Sequence, residues 1–172
     1  MAERVVDLVV SRLARQAGLG PYPPCSTDRI VLSGGEVGGS ERFGEYAERA
    51  AAELAAAGLD AEEAAKLARR YGSNAERVAA LLRERYKEET AAEQGLSPEV
   101  FASLVYGIEE EMTATPLDFF VRRTSALYFD IDWVRRWKDP VVRYMAQRFG
   151  WSEAETARQR DALERSIREA AE

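Results

Sequence analysis

Between Ser40 and Ser152 the sequence repeats one kind of punctuation: a short polar side chain, often an acid three places on, then apolar residues at helical spacing. Asp60 with Glu63, Ser73 with Glu76 and Ser152 with Glu155 read as capping boxes, in which side chains take amide N–H groups that a helix start leaves unpartnered. Ser97 precedes Pro98, and Thr115 precedes Pro116 with Asp118 in the third place; proline at a first helical position gives up an N–H that had no partner anyway. Ser40 reads as the cap of a helix over Glu41 to Ala57, which Gly58 ends. The Ser73 helix runs through Tyr86. A chain with this much helix punctuation is expected to be all-α, about seven helices in an irregular bundle. The only strand-like text is a brief apolar run from Arg29 to Leu32.

Upstream, Ala2 to Ala17 has Val5, Val6, Val9 and Leu13 at helical spacing, and Gly18 stops it. LGPYPPCSTDR follows, where Pro21, Pro23 and Pro24 forbid a regular helix and predict an extended connector. The expected division is a terminal helix over 1–17, a Pro/Gly-rich connector over 18–39 and a helical domain over 40–172. Late in the chain, DIDWVRRWKDPVVRYMAQRFGW offers Asp130 or Asp132 as a cap. Asp139-Pro140 is then expected to restart a helix with Val141, Tyr144, Met145 and Phe149 on one face. No internal repeat is evident, and helix propensity accounts for the Ala/Glu-rich stretch from Glu45 to Ala68.

Composition narrows the chemistry. The net charge is −6, with arginine and glutamate interleaved, so a nucleic-acid partner is not expected. Histidine, the commonest general base and metal ligand, is absent. Cys25 is the single cysteine, which has no internal disulfide partner and fits a reduced, intracellular setting. The apolar runs are too short to span a bilayer, and the opening MAERVVDLVVSRLARQ, with Glu3 and Asp7, does not read as a signal peptide.

Four motifs invite a functional reading. LSGGEVGGS lacks the lysine of a phosphate loop and places Glu36 where the dinucleotide fingerprint needs glycine, so its glycines are expected to serve backbone geometry. Asp60 to Tyr86 has the length of a helix-turn-helix, but Arg77, Arg83 and Arg85 are balanced by Glu76, Glu84, Glu88 and Glu89, and a plain αα-hairpin is the better reading. Glu109-Glu110-Glu111 cannot converge on one ligand, because consecutive helical side chains point about 100° apart. Of Arg122-Arg123, one guanidinium is expected to be drawn among Phe119, Phe120, Val121, Leu127 and Tyr128; Arg123 with Glu111 is the expected structural ion pair. Trp133, Trp137, Phe149 and Trp151 read as packing residues rather than a cofactor box. No catalytic, cofactor-binding or metal-ligating residue is assigned.

MAERVVDLVV, the Cys25-Ser26-Thr27-Asp28 step, LSGGEVGG, LARRYGSNAERV, EEEMTATPLDFFVRRT and RFGWSEAE together resemble, in order, the C-terminal part of FAD-dependent glycerol-3-phosphate dehydrogenases and oxidases. The resemblance implies a helical domain that caps a flavin domain, in enzymes that oxidise glycerol 3-phosphate to dihydroxyacetone phosphate and pass electrons to quinone or O₂. FAD would then belong to the parent enzyme and not to this chain, which alone is expected to be inactive. The resemblance also implies a cytoplasmic setting, peripheral to the inner face of the membrane in the parent. The helix carrying Val5, Val6, Val9 and Leu13 would face the flavin domain, or self-associate when that partner is missing. A stand-alone helical interaction module and a DNA-binding regulator are the competing readings.

Overall fold

The computed structural model describes residues 2–86 and 94–171. It divides into two compact units, Met1–Leu32 and Ser33–Glu172. Among the described residues there are eight α-helices and no strand, so the all-α expectation holds. The strand-like run is corrected: Thr27–Arg29 is a single 3-10 turn and the chain to Leu32 is irregular.

The first unit contains α1, Ala2–Ala17, none of whose residues is buried. Val5, Val6, Leu8, Val9 and Leu13 all lie exposed along it. The connector with its prolines carries no regular element before Thr27.

The second unit is built around α5, Pro98–Glu110. Every residue of α5 from Glu99 to Gly107 is buried, as expected of a central helix that carries few polar residues there. Around it lie α2 (Phe43–Ala56), α3 (Ala61–Tyr71), α4 (Ala75–Arg85), the four-residue α6 (Ala126–Phe129), α7 (Ile131–Phe149) and α8 (Glu153–Ala171). α2 packs along α3, α4 against α5, and α7 against α8. One continuous core joins them, with Leu54, Leu67, Phe101, Phe119, Phe120 and Met145 fully buried. Glu99 is the buried acid of this core, held by the Lys66 ammonium at 3.1 Å, and Lys66 also sits over the Trp133 ring. A buried carboxylate survives only with such a partner.

The start signals sort into those that cap and those that do something else. The Asp60 carboxylate accepts from the Glu63 amide, Ser97 Oγ from Val100, Asp130 from Trp133 and Ser152 Oγ from Glu155. Ser40 does not cap: it opens a 3-10 turn, Ser40–Arg42, and α2 begins at Phe43 without a side-chain cap. Ser73 does not cap either, because its hydroxyl is committed elsewhere, and α4 begins at Ala75 after the turn Gly72–Asn74. Asp139-Pro140 does not restart a helix; α7 runs unbroken through Pro140. An internal proline costs about 3 kcal/mol, while each fully buried Val or Met side chain returns about 1.5–3. Val134, Val141, Val142, Tyr144 and Met145 are all buried along α7, so packing wins.

Candidate functional site

The two most distinctive sequence words of the second unit, SGGE and RRYGSN, meet. The Ser73 amide donates to the Gly34 carbonyl at 3.0 Å. Ser73 Oγ donates to Glu36 Oε2 at 2.8 Å, and Asn74 Nδ2 donates to Ser33 Oγ at 2.8 Å. This three-point clamp needs the two backbones in direct contact. A Cβ on Gly72 would stand 2.0 Å from the Gly34 oxygen, and one on Gly34 would stand 2.8 Å from the Tyr71 oxygen. The Ser73 hydroxyl holds the Glu36 carboxyl below the usual carboxylate range. A loop that spends its polar groups on a neighbouring turn and presents an ionised glutamate has the wrong electrostatics for a phosphate. The glycines serve geometry, as expected from the sequence.

Of the three glutamates at the end of α5, Glu109 and Glu110 share Arg77, against the expectation that no two would meet one group, while Glu111 points elsewhere. Glu109 meets Arg85 at 2.6 Å, Arg148 at 3.6 Å and Arg77 at 3.8 Å, tying α4 and α7 to α5. Glu110 meets Arg77 at 3.6 Å. The basic side chains Arg77 and Arg85, which a DNA-reading helix would keep free, are thus engaged with carboxylates. Glu88 and Glu89, counted above among their acidic neighbours, lie outside the described residues. Among the described residues no group of His, Cys, Asp or Glu side chains is placed to hold a metal ion.

Glu111 turns the other way. Burial pushes its carboxyl above the ordinary value, against the opposing pull of Arg123 and Arg70. On α3, on α5 and in the segment after it lie buried polar atoms that make no hydrogen bond: Tyr71 Oη, Ser103 Oγ, Thr113 Oγ1 and Arg123 Nε, of which Tyr71 and Arg123 feel the Glu111 charge. Burial raises the Tyr71 hydroxyl as well, and the neighbouring Ser103 opposes the shift without closing a bond of good geometry. The chain doubles back here: the amides of Glu111 and Thr113 both donate to the Gly107 carbonyl, at 3.2 and 2.9 Å. A Cβ on Gly107 would stand 2.8 Å from Thr113 Oγ1, so α5 ends against its own return.

After that return comes a reciprocal cap. Asp118 accepts from the amides of Ala114 and Thr115 and from the Thr115 hydroxyl, and its own amide donates back to Thr115 Oγ1. Burial pushes the Asp118 carboxyl up, but these bonds and Arg122 outweigh it and hold it below the usual range. The segment this cap starts, Asp118–Arg123, is π-helical. Nothing in the amino-acid pattern signals the wider turn.

The late aromatics form separate groups, in keeping with packing. Trp133 lies against Phe119 and Phe120, with ring centroids 6.0 and 5.8 Å away, while Phe149 stacks on Trp151. Trp137 carries the Arg136 guanidinium over its face. Sequence reading missed Leu8 in the α1 stripe, three residues from Val5 and legible as such. It also missed the Lys66–Glu99 pair, which no spacing marks, because an acid at the start of a helix is ordinarily solvated.

A family model described as the C-terminal domain of alpha-glycerophosphate oxidase matches residues 25–156. The aerobic glycerol-3-phosphate dehydrogenase of Bacillus subtilis is 44% identical over 170 residues, 99% of this chain and 30% of that protein. The enzyme of the same name from Staphylococcus saprophyticus is 37% identical over the same share. The crystal structure of the glycerol-3-phosphate dehydrogenase from Bacillus halodurans, complexed with FAD, superposes with a TM-score of 0.87 at 42% identity, over 99% of this chain and 33% of that one. The chain therefore spans about 30% of the length of the curated relatives it matches.

Proposed function

The chain belongs to the family of C-terminal domains of alpha-glycerophosphate oxidase, and we propose that it serves as the helical companion domain of an FAD-dependent enzyme that oxidises glycerol 3-phosphate to dihydroxyacetone phosphate. Quinone or O₂ takes the electrons in this reading. The observation that carries it is the match along 99% of the chain to enzymes in which it fills only 30% of the length. The companion role fits what the second unit contains: a dense core, a glycine clamp, and arginines spent on carboxylates. The flavin and the substrate belong to the larger part of the parent polypeptide, and this part packs against it. A lone exposed cysteine fits a reducing, cytoplasmic setting. Among the described residues no helix is long and apolar enough to cross a membrane.

The test is direct. The sequence upstream of Met1 in its gene is expected to encode, in frame, a dinucleotide-binding segment. The 172-residue chain is expected neither to bind FAD on titration nor to oxidise glycerol 3-phosphate. Stoichiometric flavin on the purified chain, or turnover by it, would refute the companion role.

Within the domain we propose that Arg123 and Glu111 act as a structural pair. Burial and the guanidinium pull the Glu111 carboxyl in opposite directions, which supports the coupling. In a double-mutant cycle of Arg123→Met and Glu111→Gln, measured by urea unfolding, the two losses should fall short of additivity by about 1 kcal/mol. Strict additivity rules out contact.

A further inference from the structure

We propose that the surface presented by Met112, Tyr128 and Phe129 is the seat on which the remaining, N-terminal part of the parent polypeptide docks. The inference rests on the companion reading above and adds to it the face that is used.

These three side chains are 88%, 67% and 87% exposed, in a unit whose Phe101, Phe119 and Phe120 are wholly buried. Large apolar groups left in water beside such a core mark a surface that something covers. The backbone around them is held in conformations that have a cost. Met112 has φ +60° and Ser125 has φ +55°, the described non-glycine residues in the left-handed region. Each such conformation is unfavourable for a residue with a Cβ and persists only where the surroundings over-determine it. The two strained residues bracket the π-helical segment Asp118–Arg123, and π turns recur at functional positions. Strained backbone of this kind clusters at ligand clamps, switch regions and other functional positions.

The surface has a definite chemistry. Phe129 and Trp133 line a depression together with Lys66, Arg70 and Asp130, and the Asp130 carboxylate is taken by the Trp133 amide. Lys66 is spent on Glu99, whereas Arg70 enters no ion pair among the described residues. Arg70 also attracts the carboxylate of Glu111, the residue before Met112. The complementary patch is therefore apolar with an acidic group at its edge. The occupant follows from length. The face lies inside the region shared with relatives, and those relatives devote only 30% of their length to that region, so the larger part of each polypeptide is available to cover it.

Solvent accessibility of engineered thiols tests this. In a Cys25→Ser background, Met112→Cys, Tyr128→Cys and Phe129→Cys are labelled with a maleimide, in the 172-residue chain and in the full-length polypeptide encoded with it. Arg158→Cys, on exposed α8, is the control. Labelling at 112, 128 and 129 should be about tenfold slower in the full-length protein, with 158 unchanged. Equal rates at 129 in the two proteins overturn the proposal, as does slowing in the 172-residue chain that grows with its concentration, which would make a second copy the occupant. Flavin content and glycerol 3-phosphate oxidation of the full-length protein separate the two levels of failure. A flavin-loaded, active enzyme with unprotected thiols sinks this face alone. A full-length protein without flavin, or a gene with no upstream flavoprotein segment, sinks the companion reading and this face with it.

Discussion

A methyl group at residue 72 would land 2.0 Å from the Gly34 carbonyl oxygen, on a backbone with φ +53°. Neither partner is a flexible side-chain tip, so one main chain has to move. Gly72→Ala is expected to cost about 3 kcal/mol in urea unfolding, whereas Gly58→Ala, at φ +112° but with open space around it, should cost about 1. Equal costs would mean that the two backbones are not pressed together. Asp118 gives a pH dependence with a fixed sign. Its folded pKa is lowered, so between that value and the unfolded value of about 3.9 the unfolded state binds the extra proton. Its contribution is complete above the unfolded pKa and is lost as the pH falls through the folded one. Acid unfolding should accordingly be less steep below about pH 4 in Asp118→Asn than in the parent chain. Identical acid slopes would show that the carboxylate is not held by its hydrogen bonds.

At the scale of the element, the same kind of sequence signal had two outcomes. Asp60 and Ser40 both stand where a cap belongs, yet only Asp60 takes an amide. Asp60→Ala should cost about 1 kcal/mol and Ser40→Ala less than about 0.5, compared by thermal or urea unfolding. A larger loss at Ser40 would contradict the 3-10 start of α2. Ser73 shows why the pattern is not enough: a hydroxyl can pair with its own helix or with a distant carboxylate, and Glu36, 37 positions away in sequence, claims it. Pro140 shows the reverse, a strong local breaker overruled by the burial of its neighbours on α7.

At the scale of the molecule, α1 carries an apolar row, Val5, Val6, Leu8, Val9 and Leu13, with no buried residue in the helix. Sedimentation of the chain should show association that rises with concentration, and Val6→Glu with Val9→Glu should abolish it while the second unit keeps its unfolding midpoint. A strict monomer at high concentration would count against this role for α1. Such a row contrasts with α5, whose residues from Glu99 to Gly107 are all buried. The two helices are easily told apart by pattern, one striped and one with few polar residues, but only the assembled unit shows which has found its partners.

The helices themselves were legible because capping and periodicity act over three or four residues, a range the sequence states outright. All-α character, the caps at Asp60, Ser97 and Ser152, a cap at Asp130 or Asp132 of which the fold uses Asp130, and the structural role of the glycine pairs could all be read this way. The contact between SGGE and RRYGSN, the buried Lys66–Glu99 pair, the π-helical turn and the unbroken passage through Pro140 could not. Each depends on what stands tens of residues away in sequence and a few ångströms away in space, where the energy of burial exceeds any local preference.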